Sequence, residues 1–324
     1  MPRISDAYLS CVVYLYQSRP NAEGGVNHGA AGFLVGVPEG SPEPLVSNDA
    51  ILRHSSAYGS AGHSPHHLYV VTNGHVVDDY PFARFNRRDG RTTVRDLDQW
   101  HFHKTSDLAV SPIEWSWAWN RDFSLAVVPI SMFLSLGDSR NLDVGPGDDT
   151  FTVGRFIGHD GKESNLPVVR FGNIAMLPQQ PLELEHLGPQ NVFLIESRIM
   201  PGYSGSPVFL NIPPWELRES APRIPGAPAY QYESPFEAKQ PDVSLRQSLG
   251  KDLGSPGDRL GRIRYYTRLL GITTGFIEKT AMMLAIPSWE LLDLLNYPEI
   301  QEQRSAEREK WKKERNQNPP ARLA

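Results

Sequence analysis

Three short strings in this 324-residue chain carry side chains suited to acyl transfer. Ser204 stands in Pro201-Gly202-Tyr203-Ser204-Gly205-Ser206-Pro207, with a glycine on each side of the Tyr-Ser pair. Those glycines permit a tight turn and a close approach by another backbone. Such a turn can aim the N–H groups of Gly202 and Ser204 at one point, where a developing oxyanion would sit. His75 lies in Val70-Val71-Thr72-Asn73-Gly74-His75-Val76-Val77, between an apolar strand and a short apolar stretch. A strand end of that kind holds an imidazole rigidly. Asp107 opens the run Leu108-Ala109-Val110, where a carboxylate can be buried and still orient a histidine. Asp122 competes for that role ahead of Phe123-Ser124-Leu125-Ala126-Val127, but there a serine stands directly before Leu-Ala-Val, where Asp107 stands in the first copy. Hydroxyl, base, orienting carboxylate and N–H donors are the four parts of nucleophilic attack on a peptide carbonyl.

Other reactive side chains give weaker patterns. His101 and His103 alternate, and His66 and His67 are adjacent, but no carboxylate or cysteine cluster completes a metal site. Cys11 is the sole cysteine, so no intrachain disulfide forms; it reads as a small buried apolar group in a strand Tyr8–Tyr16. Trp115, Trp117 and Trp119 alternate like one face of a strand or an inter-barrel contact.

Strands dominate what must position these groups. Segments rich in Val, Ile, Leu, Phe and Tyr, bounded by turn residues, are expected as strands at Tyr8–Tyr16, Ala31–Val37, Leu68–Thr72, Leu108–Pro112, Phe123–Ile130 and Phe151–Ile157. The series continues with Val168–Met176, Val192–Glu196, Ser206–Leu210, Thr267–Thr273 and Met282–Ile286. Helical periodicity is convincing only after Ser288, a plausible N-cap with Glu290 in the first turn. An all-β body of two small barrels closed by a C-terminal helix follows. The expected units are 7–115 with His75 and Asp107, a linker 116–145, 146–298 with Ser204, and a charged tail 299–324 that reads as a solvated helix fraying into a flexible end. A proline-rich, charged insertion at 211–261 interrupts the second unit.

The charge is nearly balanced, 32 basic against 37 acidic residues, which gives no nucleic-acid footprint. No apolar run reaches the ~18–20 residues that span a bilayer. The N-terminus lacks the pattern of a signal peptide, and with one cysteine a cytoplasmic location is expected.

Together, the order His75, Asp107, Ser204 and their contexts resemble the trypsin-like serine peptidases, specifically their disulfide-free bacterial branch. Thr72-Asn73-Gly74-His75-Val76 resembles the histidine motif of that clan, and Ser106-Asp107-Leu108-Ala109-Val110 its aspartate motif. Pro201–Pro207 is similar to the nucleophile loop of high-temperature-requirement proteases and glutamyl endopeptidases. Leu269-Leu270-Gly271-Ile272-Thr273 is similar to the strand that pairs with substrate. The resemblance implies two six-stranded antiparallel β-barrels with a C-terminal helix, and a serine endopeptidase acting on protein or peptide through a His75–Asp107–Ser204 triad without a cofactor. It places Arg198 at the floor of the primary pocket, where it can pair an acidic side chain, with Ile199, Thr273 and Gly275 beside it. Two departures bear on specificity. Ser206 replaces the second glycine of the common loop, as in glutamyl endopeptidases, yet Thr273 stands where those enzymes often carry a histidine. The alternative is a silent or latent module of this fold, with 211–261 covering the cleft or meeting a regulatory partner.

Overall fold

A computed structural model describes residues 4–45, 66–114, 123–156, 161–185, 187–197, 202–212 and 266–317. The N-terminal half holds β1 (Val12–Tyr16), β2 (His28–Pro38), β3 (His66–Thr72), β4 (Phe82–Asn86), β5 (Thr92–Asp96), β6 (His101–Phe102), β7 (Ala109–Ile113) and β8 (Val128–Pro129). The C-terminal half holds β9 (Asp149–Gly154), β10 (Val168–Met176), β11 (Leu182–Leu184), β12 (Gly188–Gln190), β13 (Phe193–Ser197), β14 (Pro207–Ile212), β15 (Tyr266–Ile277) and β16 (Met282–Pro287). Helices α1 (Asp6–Ser10), α2 (Arg19–Gly24) and α3 (Leu136–Asn141) are short; α4 (Ser288–Leu295) and α5 (Pro298–Gln317) end the described chain.

The chain is mostly β, and its C-terminal half is a closed barrel in the order β10-β13-β16-β15-β14-β9. The N-terminal half follows the order β5-β4-β1-β2-β3-β7-β6, with β8 joining β2 in parallel. Among the described residues this sheet does not close, so one six-stranded barrel is present where two were expected. β6 has only two residues and pairs with β7. One apolar cluster runs through both halves and includes Phe33 and Val71 on one side, Phe151 and Ile286 on the other.

Several expected elements shift for identifiable reasons. Tyr8–Tyr16 is not one strand: Ser5 accepts the Ala7 N–H and caps α1, so β1 begins at Val12. That helical turn places the Tyr8 ring edge-on to Phe151 and Phe209, at 5.2 and 4.9 Å between centroids. Phe123–Ile130 is mainly an extended connection, with only Val128–Pro129 laddered and Ala126 N–H bonded to the Ser10 carbonyl. Ser288 does not cap α4; its hydroxyl donates to the Leu134 carbonyl at 3.0 Å.

The tail is helical as expected, through Gln317, but it is docked and not solvated. Ile300, Arg304 and Trp311 on α5 are buried. Arg304 donates twice to Glu43, at 2.7 and 2.8 Å, and Trp311 stacks on His67 at 4.6 Å. The three tryptophans at 115–119 and most of the insertion lie outside the described residues.

Candidate active site

β3 ends at Thr72 and the chain turns through a short 3-10 segment, Gly74–Val76, that presents His75. The His75 side chain is 38% exposed, whereas that of Asp107 is 5% exposed. Asp107 precedes β7, the neighbour of β3, so the ladder Thr72↔Ala109 brings the two together. His75 Nδ1 lies 2.7 Å from Asp107 Oδ2, and the His75 backbone N–H donates to Oδ1 at 2.9 Å. An ionised carboxylate can only accept, so Nδ1 carries a proton, and in the neutral ring Nε2 keeps its lone pair. That is the tautomer a general base requires. Gly74 carries no Cβ for a reason: one built there would sit 3.2 Å from Asp107 Oδ1.

The Ser204 loop is tied at several points. Gly205 N–H donates to the Thr273 carbonyl at 2.9 Å and to Asn73 Oδ1 at 2.6 Å. The Ser204 carbonyl accepts from Ala31 N–H at 3.1 Å. Gly205 has φ +80°, and a Cβ there would lie 2.0 Å from the Ala31 carbonyl oxygen, so only glycine fits. Tyr203 is buried under β9 and its hydroxyl accepts from Arg170. Gly202 has φ +99°, and a Cβ there would run into the Arg155 guanidinium. Among the described residues, neither Gly202 N–H nor Ser204 N–H has an acceptor.

The structure therefore joins His75 and Asp107 directly, and the Ser204 loop to them through Asn73. It forms no hydrogen bond between Ser204 Oγ and His75; such contacts often tighten only once substrate is bound. Thr273, expected beside substrate, is buried, with its hydroxyl on Met283 Sδ at 3.4 Å. Gly275 is half-buried opposite Leu284. Arg198 and Ile199, like the competitor Asp122, lie outside the described residues.

Two contributors have no counterpart among the sequence expectations. A register shift between Thr273 and Gly275 turns Thr274 inward, and its hydroxyl donates to Asp107 Oδ2 at 2.5 Å. Asn73 uses both ends of its amide: Nδ2 donates to the Asp107 carbonyl at 2.9 Å while Oδ1 serves the Ser204 loop. Its place inside the Thr-Asn-Gly-His string was the available signal; Thr274 gave none, because the bulge is invisible in sequence. No group of three or more His, Cys, Asp or Glu side chains could hold a metal among the described residues.

Residues 58–217 match the family model of the trypsin-like peptidase domain. Just under half of the chain is thus similar to a trypsin-like peptidase domain. No curated protein matches the sequence. Among solved structures, the HtrA-type protease AlgW with a tripeptide is 15% identical with a TM-score of 0.42, over 90% of this chain and 62% of that one. Deg5 is 14% identical with a TM-score of 0.42, over 90% of this chain and 92% of that one. The chain thus spans 62% of the length of the AlgW chain. The matched segment of the trypsin-like domain contains His75, Asp107 and Ser204.

Proposed function

We propose that this chain is a serine endopeptidase that cleaves protein or peptide substrates through an acyl-enzyme, with Ser204 as nucleophile, His75 as base and Asp107 as orienting carboxylate. The observation that carries the reading is the His75–Asp107 pair, which leaves Nε2 of a half-exposed imidazole as a proton acceptor. In the proposed reaction His75 takes the Ser204 proton as Oγ attacks the carbonyl, then gives it to the leaving amine. Water attacks the acyl-enzyme by the same route. The N–H groups of Gly202 and Ser204 hold the oxyanion, in keeping with their lack of acceptors among the described residues. Arg198 and Ile199, with Thr273 and Gly275, form the proposed primary pocket, Arg198 favouring an acidic side chain. The proposed setting is cytoplasmic, with 211–261 as the segment a regulatory partner would engage; cell fractionation tests the first, and loss of a captured partner on deleting 211–261 the second.

A fluorophosphonate probe tests the core of this. Wild type is expected to label and Ser204→Ala to stay blank, with peptide cleavage falling about a thousandfold or more. The missing Ser204–His75 hydrogen bond favours a second reading, a latent module. Under that reading wild type stays unlabelled until 211–261 is cleaved or removed.

A further inference from the structure

The turn carrying the triad carboxylate, residues 103–107, belongs by sequence to the N-terminal half, yet beyond His75 and Asn73 it takes side-chain partners from the other half and the terminal helices. Asp107 N–H donates to Gln190 Oε1 at 2.9 Å, and Gln190 Nε2 donates to the Thr105 carbonyl at 3.0 Å. The same Nε2 reaches the Leu187 carbonyl at 3.2 Å, within the hairpin that β12 ends. The amide orientation is forced, because an N–H can face only the oxygen and two carbonyls can face only the nitrogen. Gln190 is 4% exposed, so no water competes for those bonds. Ser106 Oγ donates to Glu290 at 3.1 Å, and Tyr297 OH accepts from Lys104 N–H at 3.1 Å. Asn73 holds the Asp107 carbonyl from the N-terminal half, and Gln190 holds the Asp107 N–H and the Thr105 carbonyl from the other.

We infer that Gln190 is a positioning residue for the triad: through the Asp107 backbone it sets where the carboxylate meets His75. The inference rests on the serine peptidase reading for its effect on turnover, though not for its effect on His75. Without the clamp, the Asp107 backbone keeps the Asn73 bond at its carbonyl but loses the one at its N–H, and its carboxylate drifts from Nδ1. A carboxylate close to an imidazole favours the imidazolium, so drift lowers the pH at which His75 titrates.

The test compares wild type with Gln190→Ala in the full chain. Histidine ring signals are followed by NMR against pH, and His75→Ala assigns the His75 resonance. The His75 midpoint is expected to move to lower pH in Gln190→Ala. The acid limb of peptide cleavage is expected to move the same way, with kcat down about tenfold to a hundredfold and KM within about twofold. A residue that only stabilises the fold would lower the melting temperature and leave the His75 midpoint in place; that result overturns the inference. If Gln190→Ala does not fold, Gln190→Met, of similar length and without the amide, takes its place. A wild type that neither labels nor cleaves ends the peptidase reading, while the His75 midpoint still decides the role of Gln190.

Discussion

Asp107 Oδ2 accepts from both His75 Nδ1 and the Thr274 hydroxyl, and Oδ1 from the His75 N–H. A hydrogen bond to a charged group contributes about 1.5–3 kcal/mol. Thr274→Val keeps the shape and removes one donor, so kcat/KM is expected to fall by about tenfold or more, and Thr274→Ser to restore most of it. Steady-state kinetics on a peptide substrate decide; equal values for valine and threonine would show the hydroxyl to be idle. Cys11 offers a test independent of activity. Its thiol is fully buried, donates to the Tyr8 carbonyl, and is pushed up from 9.0 to about 12 by burial. Because the folded value lies above the unfolded one, the protonated thiol's contribution to stability is complete below pH 9 and is lost as pH rises toward about 12. Cys11 is therefore expected to resist a thiol reagent at pH 8 in the native protein and to react in urea; rapid native labelling would contradict its burial. At this scale the sequence was most legible. His75, Asp107 and Ser204 stand in strings whose apolar framing announces a fixed geometry, whereas Thr274 and Gln190 act through contacts 167 and 83 residues distant, which no local pattern encodes.

Among the elements, α5 departs furthest from expectation. Its density of Glu, Lys and Arg hides an anchoring face made of few, large contacts. Ile300, Arg304 and Trp311 are buried, but the central one is an arginine, so apolar periodicity is lost. Arg304 is admissible inside because Glu43 pairs it bidentately and Tyr69 and the Leu295 carbonyl take further donors. Removing one partner of such a pair strands the other charge. Glu43→Ala is expected to cost about 3 kcal/mol, read as a lowered denaturation midpoint with an unchanged m-value. A cost within about 0.5 kcal/mol would mean that α5 docks by its apolar contacts alone. β4 and β5 escaped for a related reason. Arg84 is fully buried in β4, so Phe82–Asn86 does not read as a core strand.

At the scale of the molecule, each half holds a piece of the other. Gln190 grips the Asp107 turn from the C-terminal side, and Arg84 answers from the N-terminal side. Its Nη1 donates to the Gly161 carbonyl at 2.8 Å and its Nη2 to the Lys162 carbonyl at 2.7 Å. Asn86 and Asn165 add a reciprocal pair across the same seam, at 2.8 and 3.0 Å. The loop so held follows β9, whose neighbour Arg155 lies against Gly202 in the Ser204 loop. With the apolar cluster also shared, the halves should unfold as one unit. Arg84→Ala leaves two carbonyls without their donors and opens a void, an expected cost of about 3 kcal/mol or more. Calorimetry should show one transition in wild type and an earlier, broader melt in the variant. Because the loop behind Gly202 loosens with it, fluorophosphonate labelling at Ser204 should slow at temperatures where the variant is still folded. A variant with unaltered melting and labelling would assign the coupling of the halves to the apolar core alone.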